Sequence, residues 1–87
     1  MARVSLSFLL RRFAQGEKDV QVSGTTVAEV IEALEKRFPG AGDTLRREGR
    51  LAPGVCVVVD GNMPPAGMAA PVEPDSEIHF LPIIGGG

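Results

Sequence analysis

The chain has 87 residues, 44% hydrophobic and 23% charged, with a formal net charge of −2. That length makes one domain that buries about 60–65% of the surface its unfolded form exposes, enough for a single modest core. Four Phe without Trp or Tyr, on a slightly acidic chain, argue against nucleic-acid binding, and the single Cys56 excludes an intrachain disulfide and suits a cytoplasmic setting.

The opening Met-Ala-Arg-Val-Ser-Leu-Ser lacks the long apolar stretch of a signal peptide, and no run approaches about 20 apolar residues, so no membrane span is expected. Residues 3–10 place Val4, Leu6, Phe8 and Leu10 on one face and Arg3, Ser5 and Ser7 on the other, the period of a half-buried strand. Gln15-Gly16-Glu17 reads as a turn, and residues 18–22 alternate again, completing a hairpin.

The period then changes. Val27, Val30, Ile31, Leu34 and Phe38 recur at the spacing of an amphipathic helix. Thr26 followed three residues later by Glu29 fits a capping box, Lys36 and Arg37 suit the negative end of the helix dipole, and Pro39-Gly40 ends the run. A short helical turn is expected over 43–48, then a loop at Glu48-Gly49-Arg50. Val55, Val57 and Val59 mark an apolar strand, closed by the turn Asp60-Gly61-Asn62. Pro64, Pro65, Pro71 and Pro74 limit any strand over 63–76 to a short edge piece. A last strand, Glu77–Leu81, follows the turn at Pro74-Asp75-Ser76 and runs into Pro82-Ile83-Ile84. The order β-β-α-β-(β)-β predicts an α+β fold, with one main helix on one face of a mixed sheet of four or five strands. The domain is placed at 1–82 and a flexible tail at 83–87.

The sequence closes on Gly85-Gly86-Gly87. A disposable end would be polar, whereas these glycines directly follow a strand and the apolar Pro82-Ile83-Ile84. Together with Thr26-Val27-Ala28-Glu29, the Val-x-Val-x-Val-Asp-Gly strand and Asp75-x-Glu77-Ile78-x-Phe80-x-Pro82-x-Ile84-x-Gly-Gly, this resembles the β-grasp sulfur carriers. These are relatives of ubiquitin that include the small subunit of molybdopterin synthase (MoaD) and the thiamine-biosynthesis carrier (ThiS). The resemblance covers the whole chain and is most specific at its C-terminal block. Gly85 falls at the variable position before the glycine pair, and Ile83 stands where the molybdopterin subunit has a second proline.

The resemblance implies a carrier rather than an enzyme, with no cofactor of its own. The Gly87 carboxylate is expected to be adenylated by a ubiquitin-activating-like enzyme that uses ATP, then converted to a thiocarboxylate that donates sulfur to a synthase large subunit. Gly85 and Gly86 would thread the partner's channel, where a side chain would obstruct. Val58, Leu81, Ile83 and Ile84 are the interface residues carried over from the family. Val58 and Leu81 alternate with inward residues and so face away from the helix. Molybdopterin synthesis is the expected pathway. Carriers for thiamine, cysteine or secondary-metabolite sulfur share the pattern, and a protein modifier would use the same activated glycine. Cys56 is read as inert and His79 as no metal ligand, since neither has partners at suitable spacing.

Overall fold

The computed structural model describes residues 1–83. Strands β1 (Ala2–Ser5) and β2 (Asp19–Val22) form an antiparallel hairpin, registered Ala2 to Val22 through Ser5 to Asp19. Alternation holds in both: Ala2, Val4, Val20 and Val22 are buried, while Arg3, Asp19 and Gln21 are exposed. The hairpin's connection differs from expectation. The strand period was extended to Leu10, but β1 stops at Ser5 and Phe8–Phe13 forms a 3-10 helix. Leu6 still donates its N–H to the Lys18 carbonyl; Phe8 then turns the chain at φ +54°. Leu10 stays in the core, whereas Phe8, expected inside, is 63% exposed.

Helix α1 (Val27–Arg37) buries Val27, Val30, Ile31 and Leu34, the stripe read from the periodicity. Each such side chain contributes roughly 1.5–3 kcal/mol when fully removed from water. Its start is a capping box shifted by one residue on the return arm. Thr26 Oγ1 accepts from the Glu29 N–H at 3.2 Å, while Glu29 Oε1 accepts from the Thr25 N–H at 2.8 Å and the Thr25 hydroxyl at 2.9 Å. Those bonds from Thr25, backbone first, hold the Glu29 carboxyl below its ordinary pKa. Gly24 lies close beneath this turn: at φ +153°, a Cβ there would meet the Val30 nitrogen at 2.9 Å.

Gly40, at φ +102°, reverses the chain into α2 (Ala41–Leu45), which begins earlier than the expected 43–48. Both Glu35 oxygens accept from the Gly40 N–H, and Oε1 also takes the Gly42 N–H at 2.8 Å. The expected loop at 48–50 is the turn of a small hairpin, β3 (Arg46–Arg47) with β4 (Arg50–Leu51). Glu48 and Gly49 both have positive φ, the requirement of a tight two-residue hairpin turn.

Strand β5 (Val55–Val59) pairs antiparallel with β6 (Glu77–Pro82), and β6 pairs in parallel with β1. The sheet order is β2-β1-β6-β5, so the first and last strands lie at its centre. No fifth strand joins it from 63–76. That segment holds a 3-10 turn (Gly67–Ala69), and Pro71 makes an isolated bridge to Thr26 beside the start of α1. Proline has no amide proton to give a ladder, so the segment packs on the helix instead. Ser76, 1% exposed, fastens the return into β6. Its hydroxyl donates to Asp60 Oδ2 at 2.8 Å and accepts from the Glu73 N–H, while Asp60 Oδ1 takes the Glu77 N–H. Among the described residues no helix is long and apolar enough to cross a membrane.

Candidate functional site: the outer sheet face and the end of the last strand

With Ile78 and Phe80 turned to the core, β6 presents Glu77, His79 and Leu81 on the opposite face. The antiparallel register sets Cys56 opposite Leu81 and Val58 opposite His79. Val58 and Leu81 are therefore diagonal neighbours on the outer face, both half-buried. The expectation that they point away from the helix matches this register.

The outer face is divided by chemistry. Towards β2 it is polar, with Arg3 and Glu77 opposed on β1 and β6 as an ion pair. Towards β5 it is apolar, carrying Val58, Cys56 and Leu81. Ile83 extends the apolar half past the strand: it is 60% exposed, yet its N–H donates to the Gly54 carbonyl at 2.7 Å. Ile84, Gly85, Gly86 and Gly87 lie outside the described residues.

Phe8 is the residue that sequence reasoning missed. Because β6 runs parallel to β1, the end of β6 lies alongside the chain that follows β1, and the 3-10 helix packs against β6. The Phe8 ring stands in solvent at the turn after β1, beside Ser5, Arg11 and Lys18, on a backbone conformation costing an L-residue roughly 1–2 kcal/mol. The signal was present in the sequence. Leu9-Leu10 and Arg11-Arg12 are like neighbours side by side, which breaks strand alternation after Phe8.

Cys56 is half-buried against Leu81 with its thiol free. His79 sits opposite Val58, and among the described residues no three His, Cys, Asp or Glu side chains gather as a metal site.

The sequence model of the ThiS family matches residues 8–87. The chain belongs to the ThiS family. As a ThiS-family protein it is of the ThiS/MoaD-like β-grasp type, whose members are small carriers rather than catalytic enzymes. A chain of the BexX/CysO complex of Amycolatopsis orientalis is 31% identical with a TM-score of 0.88, covering 100% of both chains. CysO of Mycobacterium tuberculosis is 27% identical with a TM-score of 0.86, covering 97% of this chain and 100% of its own. Small archaeal modifier protein 1 of Methanosarcina acetivorans, 24% identical with a TM-score of 0.80, covers 99% of this chain and 95% of its own and bears on the fold alone. No curated protein matches the sequence. The chain is thus a small ubiquitin-like β-grasp protein of the sulfur-carrier kind.

Proposed function

We propose that this ThiS-family chain carries sulfur as a thiocarboxylate on Gly87. The supporting observation is the course of β6, a central strand that runs past the apolar half of the outer face and is followed in sequence by Ile83-Ile84 and the three glycines. In this reading an adenylating enzyme joins the Gly87 carboxylate to AMP from ATP, releasing pyrophosphate. Sulfide then attacks the acyl carbon and AMP departs with the bonding pair, leaving the thiocarboxylate; a persulfide donor leaves an acyl disulfide, which a thiol must cleave, forming a new disulfide, to free the thiocarboxylate. Val58, Leu81, Ile83 and Phe8 dock the partner, Ile84 continues that contact, and Gly85 and Gly86 occupy its channel. A synthase large subunit accepts the sulfur.

The acceptor expected from the sequence was the molybdopterin precursor. The likeness to two CysO proteins instead supports sulfur delivery for cysteine biosynthesis, and the complex with BexX supports an enzyme as the physical partner. Intact mass spectrometry tests the carrier step, after incubation with a candidate adenylating enzyme, ATP and a sulfide source. Exchange of one oxygen for one sulfur at Gly87 is expected. Deleting Gly86 and Gly87 should abolish that exchange while leaving the circular dichroism spectrum and melting temperature unchanged. A truncated chain that retains full activity would contradict the reading. Isopeptide conjugates to lysines, formed with no thiocarboxylate, would favour the modifier alternative.

A further inference from the structure

At the corner where the 3-10 helix meets the end of α1, four side chains stack in a row. The Arg12 guanidinium lies 4.9 Å from the centroid of the Phe13 ring, and Phe13 and Phe38 are 6.1 Å apart between centroids. The Arg37 guanidinium lies 5.7 Å from the Phe38 ring. Arg12 is held a second time, donating from Nη2 to Thr44 Oγ1 at 2.9 Å. Arg12 and Arg37 are both exposed. Arg37 lies in the last turn of α1 and Arg12 in the last turn of the 3-10 helix, so two separate elements each bring a cation to the row.

Among the described residues neither Arg12 nor Arg37 has an acidic partner. The sequence has 11 Asp and Glu against 9 Lys and Arg, yet among the described residues the ion pairs are Arg3 with Glu77 and Arg46 with Glu32. Glu35, the acid nearest this corner in sequence, spends both oxygens on the Gly40 and Gly42 amides. A guanidinium fixed on an aromatic face keeps its free N–H groups pre-aligned, so it loses little freedom on meeting a carboxylate.

Position decides what faces the row. The 3-10 helix packs on β6 on one side and on α2 on the other, so the stack and the departing end of β6 share one end of the molecule. A protein that grips residues beyond Ile83 therefore confronts the stack. We propose that Arg12, Phe13, Phe38 and Arg37 form a docking surface for a carboxylate-rich segment of the activating protein, a proposal that rests on the carrier reading above. The net charge of −2 already includes these arginines, so the rest of the chain is more acidic still and repels a polyanion such as RNA; the attraction is confined to a partner that places its acids opposite this corner.

The full chain labelled with nitrogen-15, titrated with hexaglutamate, tests the surface directly. Hexaserine and a single-stranded thymidine hexamer serve as comparisons, and Arg46, Arg47 and Arg50 on the small hairpin serve as internal controls. Shift changes centred on Arg12, Phe13, Arg37 and Phe38 are expected. They should be lost in the double variant Arg12→Gln/Arg37→Gln and partly kept in Arg12→Lys/Arg37→Lys, which retains the charge. Changes centred on the hairpin arginines would overturn the proposal, as would tighter binding of the oligonucleotide or an unaltered response in the Gln variant. With an adenylating enzyme active on the native chain, the Gln variant should raise KM about tenfold at unchanged kcat and flatten its salt dependence. An unchanged KM overturns the docking surface. A native chain that no adenylating enzyme modifies overturns the carrier reading, while the peptide titration still reports whether the surface binds acids.

Discussion

Phe8 combines two costs in one residue: a large apolar ring 63% in solvent and a left-handed backbone with φ +54°. Neither is repaid inside the described chain, and positions of this kind concentrate where another molecule makes the contact. Phe8→Gly separates stability from binding. Glycine relieves the backbone strain and adds a comparable loss of unfolded-state freedom, so unfolding free energy should stay within about 1 kcal/mol of the native value by urea denaturation. Binding to the adenylating partner should nevertheless weaken, read by calorimetry. A variant that binds normally would remove Phe8 from the interface. Ser76 shows the opposite economy. It is buried and polar, but its hydroxyl is engaged as both donor and acceptor, which explains its place in an otherwise apolar interior.

Among the elements, α1 was the most readable from sequence because three independent signals agree on it: the apolar stripe, the Thr26 cap and the Gly40 reversal. Its cap also carries a pH dependence. The Glu29 carboxyl titrates below its ordinary value in the folded chain, so the unfolded chain binds the proton more readily. The stabilisation is therefore present above the unfolded value, about 4.3, and is lost as pH falls through the lower folded one. Melting curves of the native chain and Glu29→Gln should diverge above that value and converge in acid. Parallel curves across the whole range would show that the charge contributes nothing.

The elements that sequence misjudged share a physical reason. Residues 6–10 suit either period over so short a run, since Leu6 and Leu10, four residues apart, share a face after two repeats of a strand and after one turn of a helix. The chain turns at Phe8, a conformation that no residue preference announces. The short hairpin of β3 and β4 was hidden because strands of two residues show no alternation. Val58 and Leu81 could be placed on the outer face because β5 and β6 alternate cleanly and a one-residue slip would expose Phe80. The division of that face into polar and apolar halves needed the strand order, which depends on contacts between the two ends of the sequence.

For the molecule as a whole, the decisive contact is the parallel pairing of β1 with β6, which joins Arg3 to Glu77 and Val4 to Ile78. Closing the chain end to end is entropically costly, yet it builds the middle of the sheet. Amide hydrogen exchange should therefore be slowest at Val4, Ile78 and Phe80 and fast through Arg46–Leu51, where a small two-stranded hairpin stands apart from the main sheet. Faster exchange at Ile78 than in that hairpin would place the stable centre elsewhere.

The bond from the Ile83 N–H to the Gly54 carbonyl also sets a tether length. It is the last backbone tie described at the end of β6, and a fully stretched chain covers at most about 3.3–3.6 Å per residue, so in the proposed reading residues 83–87 can carry the Gly87 carbonyl at most roughly 16–18 Å from that anchor. An enzyme that keeps its reactive atoms deeper than this beneath its surface could not be served without first breaking the Ile83–Gly54 bond. Reach, as well as surface chemistry, thus limits which partners can use this carrier.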